Sequence, residues 1–195
     1  MGILKRAGDL VYTFRFLRLL TTKFEDTGAY KLGIIDASGK RNKSVQITTD
    51  EQRDSYTPFH RLVFNIKKLL EKVPGGSTSI ASYAAALYLL KEKFGIPEDK
   101  IESALKNQGY DLTDFMVEDS KWFVLDDGRL SPGMYKVRHS KLENTAMNEI
   151  ITPNEHVKVG ESCYPVGKIF GISIYEAKHV RSNQPVYITV AELKI

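Results

Sequence analysis

The sequence predicts an α+β protein, with an N-terminal α-helical bundle carrying one β-hairpin and a C-terminal small antiparallel β-barrel. Three observations carry this reading. Apolar residues recur at helical spacing through most of the first 109 positions. After Gly109 short runs rich in β-branched and aromatic residues alternate with turn signals, and no helical pattern separates those runs. The organisation expected is a basic helical domain over 1–109 with its hairpin near 29–48, an acidic linker over 110–128 and a barrel domain over 129–195.

Residues 3–24 read as the first helix. Ile3, Ala7, Leu10, Phe14 and Leu17 make one apolar stripe, Tyr12, Phe16, Leu19 and Leu20 a second, and Lys5, Arg6, Arg15, Arg18 and Lys23 the polar side. Such a helix either wedges into its own core or docks on a partner or a membrane surface. Ala29–Asp36 and Asn42–Thr48 flank Ala37-Ser38-Gly39-Lys40, the pattern of a hairpin turn. Thr48-x-x-Glu51 reads as a capping box.

The segment after Thr57 has the clearest pattern of the chain. Thr57 caps, Pro58 occupies the first helical position, and Phe59, Leu62, Val63, Ile66, Leu69, Leu70 and Val73 follow the i, i+3, i+4, i+7 rule. The face left over carries His60, Arg61, Lys67, Lys68 and Lys72 against Glu71. One side must pack on protein, and the other is available to an acidic or phosphate-bearing partner. Val73-Pro74-Gly75-Gly76 breaks the helix, and Ser77-Thr78-Ser79 cap the next, Ile80–Phe94. It stops at Gly95, and Pro97-Glu98-Asp99 open a short helix to about Gly109.

The candidate strands beyond are 122–125, 133–139, 156–159, 164–170, 172–180 and 186–190. Turns at Asp126-Asp127-Gly128, Pro153-Asn154, Gly160 and 181–185 separate them, which suits a small closed barrel.

Composition bounds the function. With 42% hydrophobic and 27% charged residues the 195-residue chain is of ordinary globular type. The net charge of +4 divides unevenly, with 18 Lys+Arg and 12 Asp+Glu over 1–110 against 10 and 12 over 111–195. The N-terminal part is thus the side that attracts anions, or simply a solvated basic face. Cys163 is the single cysteine, so neither an internal disulfide nor a cysteine-based zinc site can form, and a reducing compartment fits. No uncharged run of about 18 residues occurs, so no membrane span is expected.

Chemistry-bearing motifs are sparse. Gly75, Gly76, Ser77 and Thr78 form a candidate anion site at a helix start, with Lys72 and Arg61 as helpers, but the loop lacks the Gly-Lys-Ser/Thr ending of a nucleotide-hydrolysing loop. His139, His156 and His179 show no metal-ligand spacing and suit surface strand positions. Asp111, Asp114, Glu118, Asp119, Asp126 and Asp127 form no calcium loop. The expectation is no enzyme, no cofactor and no metal.

The segment Gly167–His179 followed by 186–193 resembles the last strands of a Src-homology-type small barrel. Phe14–Phe24, Ala29–Asp36 and Phe59–Asn65 resemble small structural or assembly proteins of large contractile-tailed bacteriophages, prohead core components among them. This resemblance implies a viral protein made in the host cytoplasm and carried in the virion, binding viral or host proteins, and it transfers no catalytic residue. The partner-binding residues expected are Arg61, Lys67, Lys68 and Lys72, with Arg15 and Arg18 as secondary contacts. Nucleic-acid binding by the same helix, 58–73, is the alternative.

Overall fold

Pro58 sets the first turn of the longest well-patterned helix, and Thr57 Oγ1 accepts the His60 N–H at 3.4 Å to cap it. The structure, a computed structural model, describes residues 2–71, 83–110 and 123–195. The expected anion loop Gly75-Gly76-Ser77-Thr78, Lys72, Trp122 and the acids from Asp111 to Asp119 lie outside them. Among the described residues are six helices: α1 (Gly2–Thr21), α2 (Gly28–Lys31), α3 (Asp50–Ser55), α4 (Pro58–Glu71), α5 (Ala84–Phe94) and α6 (Glu98–Asn107). The strands are β1 (Gly133–Val137), β2 (Lys141–Leu142), β3 (Glu149–Ile151), β4 (His156–Val159), β5 (Gly167–Ile169), β6 (Ile172–His179), β7 (Pro185–Ile188) and β8 (Leu193–Lys194).

The class is α+β, but the strands do not close a barrel. They run antiparallel in the order β5-β6-β4-β1-β8, with β7 also on β6 and β2-β3 as a separate pair. No pairing joins β8 back to β5 or β7, so the sheet is open. β8 pairs with β1 only through Lys136 opposite Lys194 and Val137 opposite Leu193, which is too short a ladder to carry the sheet around.

Alternation along β6 and β7 divides the interior in two. Tyr175, Ala177, Val186 and Ile188 join Tyr135, Val137, Val157 and Val159 in a core to which α1–α6 contribute no residue. Ile169, Ile174 and Tyr187 instead join Leu62, Ile66, Leu87, Leu90, Ile101 and Leu105. Helices and strands therefore share one hydrophobic cluster. At their junction Gly167 lies so close to Tyr88 that a Cβ there would collide with the phenol ring and its oxygen. The Phe170 N–H donates to Glu98 Oε1 at 2.6 Å, and Tyr88 and Tyr187 meet edge to face at 5.3 Å.

The hairpin expected near 29–48 is not formed. Thr27 caps a helical turn instead, accepting the Tyr30 N–H, and only the single bridge Ile35–Arg41 pairs across the segment. Side chains have taken over the groups a ladder would use. Asp36 Oδ1 accepts the N–H of Ser38, its hydroxyl and the N–H of Lys40 at 2.7–2.9 Å. The Arg41 guanidinium donates to the carbonyls of Ile34, Asn42 and Val45. The capping box belongs to Thr49 and Gln52, one residue later than the pattern suggested.

Candidate binding surfaces

Helix α4 buries its predicted stripe, with Phe59, Leu62, Val63 and Ile66 at 3% exposure or less, but it also buries Phe64, Asn65 and Lys67. Lys67 is 5% exposed. Its ammonium donates to the Thr22 carbonyl, just past the last residue of α1, and lies 4.4 Å from the Phe24 ring centroid. Carbonyls at a helix C-terminus lack intrahelical partners and carry partial negative charge, so a cation there is a structural requirement. Burial pushes its pKa below the usual lysine value, against the pull of Glu71.

Arg61 is half-buried, donates to Asn148 Oδ1 and lies over the Tyr56 ring at 5.8 Å. His60 is half-buried with Nδ1 2.8 Å from Thr57 Oγ1; burial first, and Arg15 second, lower its pKa. Lys68 is half-buried as well. Of the outward cationic face expected of 58–73, the described residues His60, Arg61, Lys67 and Lys68 are thus buried or half-buried in the protein's own packing, a correction to the sequence reading.

Arg15 and Arg18, the secondary contacts, stand differently. Both are exposed on α1, Arg15 over the Tyr12 ring at 5.9 Å. At 3.6 residues per turn they share one arc with Leu10, Val11 and Phe14, which are 58%, 50% and 64% exposed. The opposite side of the helix holds Phe16 and Leu20, buried against α4 and α5. An apolar patch of this kind rimmed by arginines is a contact surface in waiting.

A second surface was not anticipated. Between α2 and the turn at Lys40–Ser44 lies an open cleft of about 930 Å³. Tyr30, Lys31, Lys40, Arg41 and Lys43 contribute to its wall, with Asp36 the sole acid. The Ser38 hydroxyl, followed by the Lys40 N–H, holds the Asp36 carboxyl below its ordinary pKa. The signal was available in Asp36-Ala37-Ser38-Gly39-Lys40, which is a side-chain-to-backbone turn as well as a hairpin pattern. Gly39, at φ +74°, packs on Phe24 with no room for a Cβ.

The remaining candidates are structural. His179 is 1% exposed, not on the surface as expected, with Nδ1 2.7 Å from Ser182 Oγ. Its Nε2 lies 3.7 Å from Glu155. His156 is exposed and His139 half-buried. The buried Cys163 thiol donates to the Glu176 carbonyl, and burial raises its pKa, the opposite of nucleophile activation. Among the described residues no three His, Cys, Asp or Glu side chains gather where they could hold a metal ion. No described helix is long and apolar enough to cross a membrane. No family model matches the chain, and neither the curated proteins nor the solved structures give a match.

Proposed function

We propose that this chain is a non-enzymatic binding protein of the assembly type, and that it grips a protein partner with the outer face of α1. The carrying observation is the arc Leu10, Val11, Phe14, Arg15 and Arg18, exposed along a helix whose other side is sealed into the core. Apolar side chains in water cost free energy that a complementary groove recovers, and the arginines favour a groove with an acidic rim. In the viral setting that the resemblance implies, the partner is another assembly component.

The cleft beside α2 is a basic surface with a single carboxylate, Asp36. Its one carboxylate already accepts three hydrogen bonds and is a poor proton acceptor, so it offers no tuned acid and base pair.

The test is recovery of the tagged chain from its native cells. Wild type should retain a stoichiometric partner, and Phe14→Asp should weaken that complex about 30-fold or more, the scale of a central aromatic contact. Met134→Asp, at a strand residue 52% exposed, should leave it intact. A partner held equally by Phe14→Asp rejects the α1 face.

A further inference from the structure

We propose that the cleft between α2 and the Lys40–Ser44 turn binds single-stranded nucleic acid, with Lys31, Lys40 and Lys43 on phosphates and Tyr30 as a stacking face. This surface is separate from the outer face of α1 and does not depend on what that helix holds.

The charge is in the right form. Lys31, Lys40 and Lys43 are exposed and none closes a salt bridge among the described residues, although Lys40 lies near Asp36. Asp36 is spent on its turn, and Arg41 on three carbonyls, so the lysines are the cations left to meet a ligand. Lysine ammonium groups on flexible stems suit a phosphate backbone without dictating base identity.

The shape is also informative. A cleft of about 930 Å³ is far larger than one phosphate needs and is open to solvent. An exposed tyrosine beside lysines offers a π-face to an unstacked base, which a duplex does not present. No helix or two-stranded ribbon projects from the loop to enter a major groove.

The site is built in advance of any ligand. Eighteen residues from Leu32 to Thr49 form no regular element, yet the Arg41 bonds, the Asp36 and Asn42 turns and Gly39 on Phe24 fix their course. Long loops with so much internal bonding are where function concentrates, and a preformed loop loses little entropy on binding.

Fluorescence anisotropy with a labelled twelve-nucleotide oligo-dT, in salt from 50 to 300 mM, tests the assignment. Wild type should bind with a log-log salt slope near −2, about 0.7 for each of three phosphate contacts. Lys31→Ala/Lys40→Ala/Lys43→Ala should bring the slope close to zero, and Tyr30→Ala should weaken binding about 5- to 150-fold without altering the slope. Lys43→Glu alone serves if the triple variant melts early, and should weaken binding most at low salt and so make the slope shallower than that of wild type. Met134→Asp, on the exposed face of β1, should bind like wild type. No binding at 50 mM salt, binding unchanged in the triple variant, an equally tight duplex of the same length, or displacement by poly-glutamate or inorganic phosphate at equal charge would each overturn the proposal.

Discussion

Lys67 illustrates how a residue that looks free in a sequence can be committed by the fold. A lysine on the polar side of an amphipathic pattern is normally solvated, but α1 ends directly beside this one and presents it with an unsatisfied carbonyl. Phe24 supplies the rest of its surroundings, and the aliphatic stem is covered while the charge is held by the helix end. Lys67→Met should therefore destabilise the protein by about 1.5–3 kcal/mol, the cost of one charge-assisted hydrogen bond. Lys67→Glu should cost more, because it places an anion against a helix C-terminus. Urea denaturation measures both. If Lys67→Met leaves stability untouched and instead weakens oligonucleotide or partner binding, the lysine is a ligand contact and the structural reading is wrong.

At the scale of elements, what the sequence made legible was whatever local rules decide. Pro58 after Thr57 starts α4, Gly95 at φ +65° ends α5, and β4 alternates as its residues require. What stayed hidden depends either on side-chain bonds that leave no periodic signature or on partners distant in the chain. Nothing within 29–48 announces that Arg41 would take three carbonyls, and nothing around Leu193 announces a strand of two residues. The Val190–Glu192 turn that leads into β8 holds the clearest case. Glu192, 3% exposed, meets Lys141 of β2 at 2.5 Å and also accepts the Thr189 N–H at 2.7 Å. The pair bridges 51 positions, so no periodicity could reveal it. Burial raises the Glu192 pKa despite the pull of Lys141, which marks the pair as costly to desolvate. Either single change, Glu192→Leu or Lys141→Met, should lose about 3–5 kcal/mol by leaving one buried charge alone, whereas the double change should recover most of it. A double-mutant cycle by urea denaturation decides this, and additive losses would mean that the two charges do not depend on each other.

At the scale of the whole molecule, the shared cluster of helices and strands means that damage on one side is felt on the other. Ile169, Ile174 and Tyr187 pack with Leu62 and Leu87, so the two parts should unfold together. Acid provides the lever. His60 in the helical part and His179 in the strand part both have their pKa lowered, chiefly by burial. Arg15 reinforces this at His60; at His179 Glu155 opposes it and Arg181 adds to it. A histidine with a depressed folded pKa binds protons more readily when unfolded. Its contribution is complete above the ordinary value of about 6.5 and is lost as pH falls below that value toward the folded pKa. Glu98 and Glu155 add a later loss. Burial raises their pKa, but hydrogen bonds from Lys91 and the Phe170 N–H, and from the Thr152 N–H with Arg181 nearby, bring both below the ordinary carboxylate value. Their contribution fails only under about pH 4.5. Glu192 runs in the opposite sense, so the informative quantity is the difference between wild type and a histidine variant rather than the raw profile. The melting temperature of wild type should fall between pH 7 and pH 5 in one transition, and His179→Gln should flatten part of that fall while lowering stability at pH 7, because the Ser182 contact is lost. Two separated transitions would break the shared-core argument. A slope identical in wild type, His60→Gln and His179→Gln would show that neither imidazole is held neutral by the fold.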